Sequence, residues 1–227
     1  MKLLAIDTSG PLCSAALLID GQITQRAELA PRRHAELILP MMDSLLEEAG
    51  LELTDLAALA YGQGPGSFTG VRIAAAVVQG AAFGADRSVV GVSTLAALAQ
   101  GAWRVHDVRK VICAQDARMG EVYWGAYALD DNGIMRVCGA GDQLDAPDRL
   151  RLPDVEGGWV GVGSAWAVYR DALAAGLGSL EHIDQEHCEA RDVAVLAATT
   201  LMEQGGHPAE QALPVYLRDR VAERPRR

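Results

Sequence analysis

No CxxC pair occurs in this chain. Its four cysteines, Cys13, Cys113, Cys138 and Cys188, lie far apart, which argues against a zinc knuckle and against a disulfide framework. They read as reduced, mostly buried thiols. An HExxH pair for a catalytic zinc is missing, as are a Walker loop with its lysine and the GxGxxG dinucleotide fingerprint. None of the five histidines sits in a nucleophile-elbow context, so no Ser/His/Asp set can be argued. The first apolar run covers only residues 3–6 before Asp7 interrupts it. That is too short for a signal peptide's apolar region or a membrane span, so the expected compartment is the cytoplasm and no membrane partner is expected.

Positive charge is scarce as well. Twenty Lys and Arg stand against 30 Asp and Glu, a net charge of -10, and such a surface repels a phosphate backbone. The chain alone is therefore expected to be a poor nucleic-acid binder. Residues 218–227 are the exception, with five arginines against Asp219 and Glu223, a net of +3. Two readings of this basic tail stand open, solvated disorder and an arm that touches phosphates.

What the sequence does contain is a repeated theme. At 227 residues, half of them apolar, the chain can form one large domain or two small ones. Residues 2–6 read as a buried strand closed by Asp7, residues 12–19 as a second strand, and Asp20-Gly21 as a hairpin turn before a third at residues 22–28. Residues 111–115 repeat the opening, closed by Asp116, followed by a strand over residues 121–129 and a turn at "DDNG". Between the openings, Leu37, Ile38, Met41, Met42, Leu45, Leu46 and Ala49 recur at three- and four-residue spacings, predicting a helix that ends at Gly50 and is kinked near Pro40. Strands follow at residues 56–61 and 89–92, with helices at residues 73–83 and from Ser93 or Thr94 to about residue 102. The second half adds a strand at residues 159–162 and helices at about residues 164–175 and 192–202. The pattern predicts an α/β protein of two related lobes with mixed sheets flanked by helices. The expected boundaries are 1–105 for an N-terminal lobe, 106–205 for a C-terminal lobe, and 206–227 for a segment packing back on the first lobe.

The stretch "YGQGPGSFTGVRIAAAVVQGAAFG" reads as a strand-to-helix turn. Gly64 and Gly66 can adopt positive φ, Pro65 fixes a torsion between them, and Ser67 or Thr69 can cap the helix. A helix amino terminus can hold an anion, so an anion contact at Ser67 and Thr69 stays open. The helix is apolar almost all round, with Val71, Ala75, Val78 and Ala82 on one side and Ile73, Val77, Gly80 and Gly84 on another. It is buried between layers or it faces a partner; by this reading it is too short and interrupted to span a bilayer.

The blocks "AIDTS", "CSAALL", "GQGPGSFTGVRI", "VSTLAALA", "QDARMGEVYWGAY" and "PVYLRD" follow one another along the chain, and together they resemble the TsaB (YeaZ) family. The resemblance implies an actin-like, Hsp70-like fold of two lobes and a role in making threonylcarbamoyladenosine in tRNA. It implies a catalytically silent subunit that binds and stabilises a TsaD-like catalytic relative, with a TsaE-like ATPase completing the complex and a homodimer when alone. It implies no required cofactor, with ATP or ADP a candidate at the surface shared with the catalytic subunit. It also implies an interface on the helices at about residues 33–49 and 70–83, assigned here to His34, Leu37, Ile38, Met41, Met42, Leu45, Val71, Arg72, Ala75, Val78 and Ala82. Val78→Glu is then expected to split a self-dimer and leave the monomer folded. Arg72 is left between an acidic partner group and an anion in the lobe cleft.

Chemistry has few places to reside. ATPases with this fold put a magnesium-linked carboxylate where Asp7 stands, and an alternative function is a nucleotide-dependent phosphotransferase using Asp7 and magnesium. The turn after Asp7 offers Gly10 but inserts Pro11, and the turn after Asp116 replaces small residues with Arg118 and Met119, so Asp7 reads as a turn and capping residue, and Asp116, Arg118 and Glu121 as an ion-paired turn. Gly161 and Gly163 in "GVGS" are candidate adenosine contacts, and a strand-to-helix turn explains them equally. A metallopeptidase finds no site: His34 lacks a second histidine four residues on, and His182, His187 and Cys188 lie in a polar connection without helical register.

Overall fold

Alternation of side chains along the strands dictates how the layers stack. The computed structural model describes residues 1–153, 157–184 and 187–218; residues 219–227 of the basic tail lie outside the described residues. The first five strands are β1 (Lys2–Asp7), β2 (Leu12–Ile19), β3 (Gln22–Leu29), β4 (Ala58–Gly64) and β5 (Ser88–Ser93). They form one sheet in the order β3-β2-β1-β4-β5, antiparallel across the first three and parallel across the rest. A second sheet is built from β6 (Lys110–Asp116), β7 (Val122–Leu129), β8 (Met135–Asp145), β9 (Val160–Val162) and β10 (His182–Ile183). Its order, β8-β7-β6-β9-β10, and its strand directions repeat the first. The two-lobed, actin-like duplication is thus a property of the chain.

Five helices cover the sheets: α1 (His34–Ala49), α2 (Phe68–Ala85), α3 (Thr94–His106), α4 (Ala165–Leu177) and α5 (Ala190–Gln204). The inner strands are apolar on both faces, and successive residues point to opposite sides. Leu4, Ile6, Leu59 and Tyr61 meet α1 and α2, whereas Leu3, Ala5, Ala58 and Ala60 meet Val193, Ala194 and Ala197 of α5. In the second sheet Ile112 and Ala114 pack on Trp166 and Leu173 of α4, while Val111 and Cys113 pack on Leu95, Leu98 and Ala102 of α3. The order of layers is α1 with α2, first sheet, α5 with α3, second sheet, α4.

This stacking corrects the expected boundaries. Helix α5, placed by sequence in the 106–205 lobe, covers the first sheet, and α3, placed in the 1–105 lobe, covers the second. The two helices meet through Arg104, whose guanidinium donates to Asp192 at 2.9 and 2.8 Å and to Glu189 at 3.0 Å. Residues 207–215 run back along the first lobe: His207 pairs with Val89, Tyr61 Oη donates to the Leu213 carbonyl at 3.0 Å, and Val215 N donates to the Gln63 carbonyl at 2.8 Å.

Local signals explain the helix ends. The Ser67 hydroxyl accepts from Gly70 N and the Ser93 hydroxyl from Ala96 N, capping α2 and α3. Gly50 closes α1 in the left-handed conformation. Pro40 lies within α1, which runs on from His34 to Ala49 as one helix. Helix α2 spans 18 residues, more than the pattern predicted, and by length and composition alone it is long and apolar enough to cross a membrane. Of the glycines ahead of it, Gly64 has positive φ and Gly66 does not.

Candidate functional site

The glycine-rich stretch is one half of a joint whose other half is the turn after β1. Ser67 N donates to the Ser9 carbonyl at 2.8 Å, and the Thr8 hydroxyl donates to the Gly70 carbonyl at 2.7 Å. A Cβ on Gly70 would stand 2.0 Å from the Thr8 carbonyl oxygen. The turn therefore packs directly on the start of α2, and the missing side chain of Gly70 admits it.

Asp7 anchors that turn from below. Its Oδ1 accepts from Ser9 N at 3.2 Å and Ser9 Oγ at 3.0 Å, the geometry of a capping aspartate. The residue is 1% exposed, and Oδ2 has no hydrogen-bond partner among the described residues. Burial pushes its pKa up to about 6, against the pull of the two Ser9 bonds and a smaller one from the Cys188 thiol. So enclosed, the carboxyl is shielded from a magnesium-nucleotide approaching the turn from solvent.

Between the lobes lies a cavity of about 880 Å³. Ser9, Gly10, Ser67, Thr94, Asp116 and Ser164 are among the residues lining it. Of the residues named as candidate nucleotide contacts only Ser67 lines it; Asp7, Thr69, Gly161 and Gly163 do not. The Trp166 indole covers Gly161, and Gly163 backs onto the Ala114 carbonyl. The structure thus does not assemble the set that the sequence suggested for an adenosine phosphate.

In the turn after β6, Arg118 Nη1 reaches Asp116 Oδ2 at 3.1 Å, and Tyr169 Oη donates to Asp116 Oδ1 at 3.2 Å. Glu121 pairs instead with Arg218, at 2.5 Å. His34 begins α1 and is buried. His182 stacks on Trp166, with ring centroids 5.8 Å apart, and Cys188 sits next to Asp7, so the suggested trio is not one cluster. Among the described residues no group of three His, Cys, Asp or Glu side chains is placed to hold a metal ion.

The outer layer, α1 with α2, requires a larger correction. Val71, Ala75, Val78 and Ala82 are at most 3% exposed, and Ile38, Met42 and Leu45 at most 2%. Ala75, Val78, Ala82, Ile38, Met42 and Leu45 are taken up inside the chain's own lobe, in one cluster with Leu4, Ile6, Leu59 and Tyr61, whereas His34 and Val71 are buried beside the cavity between the lobes, which they line. The first six are not available to a partner. Leu37, Met41 and Arg72 are only partly covered. The outward side of α2 carries Ile73, Ala76, Val77, Gly80, Phe83 and Gly84, with Phe83 70% exposed. The guanidinium carbon of Arg72 lies 3.2 Å from the Phe68 ring centroid and 4.7 Å from that of Tyr216.

Sequence reasoning missed Tyr216 and Arg218 as parts of a site, since both sit in a short end segment with no periodicity. The one signal was the apolar group Leu213, Val215, Tyr216 and Leu217 just ahead of the arginine-rich tail.

Comparison with known proteins places these features in a lineage. A family model described as TsaD, tRNA N6-adenosine threonylcarbamoyltransferase, matches residues 22–226. The tRNA threonylcarbamoyladenosine biosynthesis protein TsaB of Escherichia coli (strain K12) is 44% identical over 228 residues, covering 98% of this chain and 96% of that protein. The protein of the same name from Buchnera aphidicola subsp. Schizaphis graminum is 34% identical over 166 residues, 72% of this chain and 79% of its own length. Among solved structures, YeaZ from Pseudomonas aeruginosa superposes with a TM-score of 0.88 at 44% identity, covering 95% of this chain and 99% of that one.

Proposed function

Because this chain belongs to the TsaB (YeaZ) family of tRNA threonylcarbamoyladenosine biosynthesis proteins, we propose that it is a catalytically silent cytoplasmic subunit. It binds and stabilises a TsaD-like transferase, with a TsaE-like ATPase joining the complex. The observation that carries the reading is the outward side of α2: Ile73, Ala76, Val77, Gly80, Phe83 and Gly84 form a stripe without a charge on a helix whose opposite stripe is already core. Small residues let a second helix approach closely, and an exposed phenylalanine supplies the kind of apolar anchor that dominates interface energetics. Leu37 and Met41 of α1 extend the surface. The same face serves a homodimer when the partner is absent.

The reading as a subunit without catalysis is supported by the packing of Asp7, whose carboxyl at the end of β1 is enclosed and not presented to magnesium. Any ATP or ADP then belongs to the surface shared with the catalytic subunit, and tRNA meets this chain indirectly or through residues 218–227. The test is reconstitution with the TsaD-like and TsaE-like partners of the same cell. Formation of threonylcarbamoyladenosine should require this chain and fall, together with complex size, in Gly80→Glu. Modification at full rate without the chain, or complex formation unaffected by Gly80→Glu, would remove the reading.

A further inference from the structure

The end of the described chain crosses from one lobe to the other. On the first lobe it is held by Val215 N on the Gln63 carbonyl at 2.8 Å and by Tyr61 Oη on the Leu213 carbonyl at 3.0 Å. Tyr216 completes an aromatic pair, its ring tilted by 35° and its centroid 6.1 Å from that of Phe68, with the Arg72 guanidinium over both rings. Gly64 is shaped for this contact: its φ is 114°, and a Cβ there would stand 2.8 Å from the Val215 carbonyl oxygen.

On the second lobe the anchorage is Arg218. Its guanidinium donates to Glu121 Oε2 at 2.5 Å and to the Arg118 carbonyl at 3.3 Å, and it lies 3.7 Å from Met119 Sδ. The hairpin that receives it is unusual, because Arg118, Met119 and Gly120 are three consecutive residues with positive φ. Two of them carry side chains, and such backbone persists only where surrounding contacts fix it. Val215, Tyr216, Leu217 and Arg218 all line the interlobe cavity, as does Cys188, whose side chain is almost enclosed.

We propose that residues 213–218 are a strap over the mouth of this cavity and that the Arg218–Glu121 pair is its latch. Elsewhere the lobes meet where α3 packs on α5 and where Ser93 Oγ donates to Asp142 Oδ2 at 2.6 Å. The strap is a further and weaker link, since Glu121 is 40% exposed and one partly exposed ion pair is worth little against a helix interface. Opening the latch frees the cavity mouth while the helix layer between the lobes stays intact. A device of this kind gives a subunit without chemistry of its own a second state that a partner can select.

Cys188 reports on the mouth. In full-length protein carrying Cys138→Ser, labelling by an aromatic disulfide reagent is followed at the Cys188 peptide, with the buried Cys113 peptide as control. Arg218→Glu should speed Cys188 labelling about fivefold, the size expected for one partly exposed charge pair. Adding Glu121→Arg should return it to the starting rate by restoring the pair with its signs exchanged. An unchanged rate in Arg218→Glu, a double variant that stays fast, or Cys113 accelerating in step with Cys188 would each overturn the latch; the last would mean general loosening.

Discussion

The hydroxyl of Thr8 donates to the carbonyl of Gly70 at 2.7 Å, and the carbonyl oxygen of Thr8 stands 2.0 Å from where a Cβ on the same glycine would be. The turn after the first strand and the start of the outer helix are thereby one joint, made of two conspicuous sequence blocks 62 residues apart. A methyl group on Gly70 would meet backbone, which cannot rotate away. Gly70→Ala is expected to cost about 3 kcal/mol, read as a lower urea midpoint at unchanged slope. Stability equal to the parent would show that the joint is looser than this contact implies.

The two stripes of α2 separate folding from association. Val78 is 0% exposed within its own lobe, so Val78→Glu buries an unpaired carboxylate and should unfold the monomer instead of merely splitting a dimer. Gly80 is exposed, and a Cβ built there meets nothing within 4 Å. Gly80→Glu should keep or slightly raise monomer stability, by about 0.5–1 kcal/mol from helix propensity, while abolishing association. Thermal unfolding alongside light scattering decides between them. A Gly80→Glu protein that still assembles would move the interface elsewhere.

The sequence made the strands and the duplication legible because both leave periodic signatures. The runs at residues 2–6 and 111–115 are apolar on both faces, and each is closed by an aspartate and followed by a hairpin. The exchange of α3 and α5 between lobes left no such mark, since an apolar stripe does not say which sheet it covers. The α2 face was misjudged for the same reason. Val71, Ala75, Val78 and Ala82 form a better apolar stripe than Ile73, Ala76, Gly80 and Gly84, and the better stripe went to the core. The outward stripe, proposed for association, is small and mixed, as a face in contact with water must be. Asp7 was readable as a cap from "DTS", whereas its enclosure depends on Gly62, 55 positions on, and on Cys188.

Arg104 ties the two exchanged helices together. Asp192 is almost fully buried, with a side chain 2% exposed, and Arg104 is its forked partner. Truncating the arginine leaves a buried carboxylate without compensation, so Arg104→Met should cost about 3 kcal/mol. The paired change Arg104→Met with Asp192→Leu should recover most of that loss, since the uncompensated charge goes with it. Denaturant unfolding of the three proteins forms the cycle, and a double variant no better than the single would assign the cost to lost packing.

Asp7 makes stability depend on pH in a defined sense. Its folded pKa of about 6 lies above the ordinary value of 3.8, so the fold favours the neutral carboxyl. Above pH 6 the folded protein carries an enclosed charge that the unfolded chain carries in water, at a cost of about 3 kcal/mol. As pH falls from 6 towards 4 the folded state is protonated first and that cost disappears. Asp7→Asn keeps an acceptor for Ser9 N and Ser9 Oγ and never ionises. Its stability should exceed that of the parent by about 2 kcal/mol at pH 8 and converge with it near pH 4. Urea midpoints at pH 4, 5, 6 and 8 test this directly. Parallel curves for the two proteins would mean that the carboxylate is solvated, and the argument against a magnesium site at Asp7 would fall with it.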